Sequence, residues 1–77
     1  MNQPMPTCEA IAANPAHYIF KATLERLTQA RRYQDQHLEV NRLHGHLDGL
    51  LEAKAITELQ WWDAAAETRA FVWGADA

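Results

Sequence analysis

Three histidines fall within ten residues, His37, His44 and His46, and Asp48 follows His44 at a spacing of four. On a helix His44 and Asp48 share a face, so together they can offer two ligands to one metal ion. His37 lies two turns earlier on that face. One chain supplies no third and fourth donor at suitable spacing, because His17 is distant and His46 points away from His44. A two-fold axis that brought two copies of His44 together would remedy this. A metal- or small-ligand-binding helical dimer built on His37, His44 and Asp48 is therefore one candidate reading, although no metal or cofactor is assigned.

Other reactive patterns are absent. Glu25, Glu39, Glu52 and Glu58 sit at ordinary helix-surface positions, and no nucleophile is spaced from a base as a catalytic pair requires. The chain has no phosphate loop, dinucleotide fingerprint or nucleophile elbow. Its single cysteine, Cys8, excludes an internal disulfide and has no basic cluster nearby in sequence to activate it. Cys8 is expected to act as a small buried hydrophobe. The chain is not expected to be an enzyme.

Charge offers a third chemistry. Residues 21–42 carry a net +2, with Arg31, Arg32 and Arg42 prominent, while residues 43–77 carry a net −4. Those arginines make a weak nucleic-acid-associated regulator an alternative, but the overall charge of −3 argues against strong binding to nucleic acid or anionic membrane. The opposite halves also favour antiparallel pairing of two copies.

The aromatics are the most informative group. Trp61, Trp62 and Trp73 fall within thirteen residues, together with Phe71 and Val72. One helix face cannot bury them all in a hairpin, and large apolar side chains outside a core mark interfaces. The interface set expected from the sequence is Trp61, Trp62, Phe71, Val72 and Trp73, joined by Phe20, Leu24 and Leu27 on the uncovered half of a preceding helix.

The elements that carry these residues are helical. Alanine and leucine together number 22, whereas Val, Ile and Thr total 10, and the three prolines all lie in the first fifth of the chain. Residues 1–6 are expected to be a flexible N-terminus and residues 7–77 a single helical domain. Thr7 caps a short turn ending near Ala13, and Asn14-Pro15 is an N-cap followed by a first helical residue. From Pro15 the apolar spacing predicts one long helix to about Lys54. Arg31 and Asp35 support it as an i,i+4 pair across its most polar stretch.

Such a helix would run about 60 Å at 1.5 Å per residue. The pair Gly45-x-x-x-Gly49 either receives a close-packed helix or indole or marks a bend, since mid-helix glycine costs about 1 kcal/mol relative to alanine. Thr57-Glu58-Leu59-Gln60 matches a capping box, with Ile56 and Trp61 as its hydrophobic staple. The return helix then runs to Trp73 and stops at Gly74. Its core face is expected to be Leu59, Trp62, Ala66, Ala70 and Trp73.

Apolar residues make up 48% of the 77-residue chain, but fourteen of them are alanine. So thin a supply of bulky groups on so long a rod predicts a helical hairpin that dimerises into a bundle. The chain has no basic-apolar leader and no long apolar run, so a cytoplasmic setting is expected. The run Leu43 to Trp61, LHGHLDGLLEAKAITELQW, resembles short accessory proteins of bacteriophages and other mobile elements. In those a helix ends in a "DGLL…A-x-x-Ile-Thr" turn that opens a second helix. The resemblance covers about a quarter of the chain and implies a helix hairpin and a bacterial accessory context, with no catalytic or ligand residue. The function expected from the sequence is a non-enzymatic interaction module, an adaptor or inhibitor that meets a second copy or a host protein.

Overall fold

The computed structural model describes residues 3–74, and every regular element among them is helical. Helix α1 spans Pro6–Ala12, a 3₁₀ turn spans Pro15–His17, and α2 spans Tyr18–Gln29. Helices α3 and α4 span Tyr33–Glu52 and Glu58–Trp73. The four helices close into a ring, with α1 touching α2 and α4, and α3 touching the same two from the other side. Their shared interior holds Cys8, Ile11, Phe20, Leu24, Leu27, Val40, Leu43, Leu47, Ile56, Ala64 and Phe71. Met5, expected in a loose segment, is buried in the same cluster, and α1 begins at Pro6.

The long helix predicted over residues 15–54 does not form. It breaks at Ala30–Arg32, where Ala30 and Arg32 both take extended backbone angles. No glycine or proline marks the place. Starting a second helix costs about 4 kcal/mol for a nucleation constant near 10⁻³. Folding α3 back on α2 buries Val40, Leu43 and Leu47 against Phe20, Leu24 and Leu27. At about 1.5–3 kcal/mol for each large apolar side chain, that burial outweighs the nucleation cost. The polar stretch between Thr28 and His37 is where the chain forgoes least by turning.

The turn has its own bonds. Arg32 Nε donates to Asp35 Oδ2 at 3.0 Å, in place of the Arg31–Asp35 pair that a continuous helix would have formed. Gln36 Nε2 donates to the Ala30 carbonyl at 3.2 Å. Between α2 and α3 the buried carboxylate of Glu39 accepts from Arg26 Nε and from Arg42 Nη1, both at 3.3 Å. The resulting body measures 32 × 23 × 18 Å with a radius of gyration of 11.5 Å. A compact domain of this length has a radius of gyration of about 11.5 Å, so the extended rod is replaced by a close-packed bundle.

Local signals did place the other ends. The Asn14 side chain accepts from Ala16 N–H, which caps the 3₁₀ turn. Thr57 and Gln60 form a capping box, with Gln60 N–H on Thr57 Oγ1 at 3.1 Å and Thr57 N–H on Gln60 Oε1 at 2.7 Å. Gly74, at φ 93, ends α4. Helix α3 ends without glycine, because Lys54 takes the left-handed position at φ 61. Ala55 N–H then bonds the Leu50 carbonyl and Lys54 N–H the Leu51 carbonyl, the two bonds of a Schellman motif.

Candidate functional site: the outward face of α4

Helix α4 is apolar nearly all round, and the structure sorts its residues by neighbour. Ala64, Ala65, Thr68 and Phe71 are buried against α1 and α3. The face expected to enter the core, Leu59, Trp62, Ala66, Ala70 and Trp73, instead turns outward. Leu59 is 70% exposed, Trp62 60% and Trp73 40%, with Ala66 exposed and Ala70 half-buried. Small residues on the inner side explain the choice. Ala64 and Ala65 let neighbouring backbones come close, as the 3.5 Å contact from Cys8 Sγ to the Ala64 carbonyl shows. Indoles in that space would overpack it.

Of the expected interface set, Phe20, Leu24, Leu27 and Phe71 belong to the chain's own core and present no docking surface. Trp61 and Val72 are half-buried against that core. Trp62 and Trp73 remain on the outside. The two pinned indoles are bonded to α3: Trp61 Nε1 donates to Asp48 Oδ1 at 2.9 Å, and Trp73 Nε1 donates to Tyr33 Oη at 2.7 Å. Trp73 also packs edge-on against Tyr33 and His37, which stack on each other. Trp62 meets Trp61 edge-on at 5.0 Å between ring centres. Among the described residues its own N–H has no partner.

The histidines and Asp48 do not assemble into a site. His37 and His44 stand about 10 Å apart along α3, too far for one ion. His44 and Asp48 share a face, but each is used by α4. Asp48 accepts from Trp61, and His44 Nε2 lies 2.9 Å from Thr68 Oγ1. Thr68 Oγ1 also lies 2.9 Å from the Ala65 carbonyl, to which it donates. Burial, with Arg69 nearby, holds His44 below its ordinary pKa, so the neutral ring is favoured. Among the described residues no three His, Cys, Asp or Glu side chains form a group that could hold a metal ion. Of the basic residues singled out, all three are exposed; Arg32 pairs with Asp35 and Arg42 with Glu39, and Arg31 has no ion pair among the described residues.

Two further features complete the surface. Gly45 and Gly49 face a cleft of about 270 Å³, bordered by Ala16, Tyr18, Ile19 and Leu50. No helix or indole covers them: a Cβ at either glycine would meet nothing within 4 Å. They sit inside an unbroken α3, so they mark no bend either.

The second feature escaped sequence reasoning altogether. The Glu67 carboxylate of α4 accepts from Thr7 N–H at 2.9 and 3.0 Å and from Cys8 N–H at 3.0 Å. It thereby caps α1, whose N-cap residue Met5 offers no side-chain bond. Only tertiary packing brings it there, sixty residues away in sequence. Beside it Cys8 is fully buried, and burial first, then the Glu67 carboxylate, pushes its thiol up to about 12. That thiol is held protonated and inert at neutral pH.

No helix among the described residues is long and apolar enough to cross a membrane. The chain matches no protein-family model, and no curated protein or solved structure matches it.

Proposed function

We propose that this protein is a non-enzymatic interaction module that docks another polypeptide on the outward face of α4. The observation that carries this reading is that the bundle closes its core without Leu59, Trp62 and Trp73, which stay on one exposed stripe. Unbonded, exposed tryptophan is the residue type that most often anchors a protein interface. The stripe is rigid, because Trp61 and Trp73 are tied to α3 on either side of Trp62. A pre-ordered face loses less entropy on binding. An accessory protein of a phage or other mobile element, acting in the cytoplasm as adaptor or inhibitor, fits the same reading.

The test is a photo-crosslinking residue placed at Trp62 in cells, compared with one at Lys21 on α2. Polypeptide adducts, to a second copy or to another protein, are expected at position 62 and not at position 21. Equal or absent adducts at the two positions would remove the docking face.

A further inference from the structure

We infer that the cleft beside Gly45 and Gly49 binds a small neutral fused-ring aromatic molecule carrying one N–H or O–H donor, an indole being the type. The cleft lies between the start of α2 and the second half of α3, and no α4 residue borders it. It is therefore a second site, independent of the docking face.

The fold makes no use of either glycine. Gly45 and Gly49 stand four apart, on one face of an unbroken helix, where each weakens α3 relative to alanine. A Cβ at either position would meet nothing within 4 Å, so no close neighbour demands the missing side chain. Both residues border the cleft of about 270 Å³. There they leave bare helix backbone as one wall. A flat ring can lie against that wall, whereas two methyl groups would hold it off.

Volume decides between a small molecule and a partner helix. One helical turn with its side chains, about 10 Å across and 5.4 Å long, fills roughly 420 Å³. The cleft holds less than that, with Ile19 of α2 and Leu50 of α3 at its borders. A dry cavity of about 150 Å³ takes one benzene ring, so this larger space has room for two fused rings. It lies just below the range of about 300–1,000 Å³ found for drug-sized ligands.

Polar groups set the chemistry of the occupant. No Lys, Arg, Asp or Glu borders the cleft among the described residues, so neither an acid nor an amine finds a counter-charge there. Two half-buried imidazoles do border it, His17 and His46. His17 Nδ1 lies 2.9 Å from the Ile11 carbonyl, which can only accept, so Nδ1 carries the hydrogen. In the neutral ring Nε2 is then a free acceptor. His46 has no hydrogen-bond partner among the described residues. An apolar ligand with a single donor satisfies an imidazole acceptor while its rings cover the glycines, Ile19 and Leu50.

Titration of ¹⁵N-labelled protein with indole, followed by NMR, tests this. Indole is expected to shift the Gly45, Gly49 and Ile19 amide signals saturably, with Kd below about 1 mM. 1-Methylindole keeps the rings without the donor and should bind about tenfold more weakly. Indole-3-acetate and tryptamine should gain nothing over indole, since no opposite charge awaits them. Gly45→Ala and Gly49→Ala should each lose about tenfold in affinity while melting no lower than the wild type, a combination that damage to the fold does not produce. Absence of a saturable shift up to about 10 mM indole overturns the site. Unchanged affinity in both alanine variants overturns the glycine wall, and equal binding of 1-methylindole overturns the donor contact. Tighter binding of either charged compound overturns the neutral class.

Discussion

On the inner side of α4, Ala64, Ala65, Thr68 and Phe71 meet the core, while on the outer side Leu59, Trp62, Ala66 and Trp73 meet solvent. Both sides are apolar, and the outer one carries the larger groups at regular helical spacing. Periodicity alone therefore favours the wrong side. The interior of four short helices is narrow, and α4 contributes to it one phenylalanine and small residues that permit close approach. Bulk ends up outside because the ring has no volume for it. The same contrast appears on α3, where Gly45 and Gly49 are small residues facing an open cleft rather than a packed neighbour.

The largest effect expected separates the two faces directly. Phe71→Ala should cost about 3–5 kcal/mol by leaving a cavity in the core. Trp62→Ala should change monomer stability by no more than about 0.5 kcal/mol, since it removes an exposed group. Urea unfolding of dilute protein measures both, and equal losses would mean that the outer indole is part of the fold.

A smaller effect tests how far the inner side reaches. Glu67→Ala should cost about 1–2 kcal/mol, because the N–H groups of Thr7 and Cys8 lose their acceptor. The loss should appear as faster hydrogen exchange in α1 and as alkylation of Cys8 under conditions where the native thiol is protected. If α1 keeps its protection, its attachment rests on Met5, Cys8 and Ile11 packing alone.

The smallest effect carries the opposite sign. Gly45→Ala and Gly49→Ala should each raise the melting temperature, stabilising α3 by up to about 1 kcal/mol, because the new methyl meets open space. Destabilisation by either would show that the cleft is closed in solution.

Much of the local structure was legible in advance. The helical class followed from alanine and leucine against few β-branched residues. Asn14-Pro15, the Thr57–Gln60 capping box and Gly74 mark real ends because a side chain or a lone glycine satisfies neighbouring backbone groups. The end of α3 gave no such sign, since Lys54 occupies the left-handed position where glycine is the usual residue. The break at Ala30–Arg32 was equally silent, because its cause lies in Val40, Leu43 and Leu47 meeting α2. Of the candidate site, Trp62 and Trp73 stood in the expected interface set but were also assigned to the core face of α4, and they turn outward, whereas Phe20, Leu24, Leu27 and Phe71 of the same set lie in the chain's own core.

Sequence by itself determined that this chain is helical, where its capped helices begin, and that its tryptophans cluster near the end. Those properties depend on groups within a few residues of one another. Packing decided that the long helix folds in two, that Glu67 caps α1 and which side of α4 faces water. Each of those outcomes depends on volumes and backbone donors contributed by segments distant in the chain, and no local spacing encodes them.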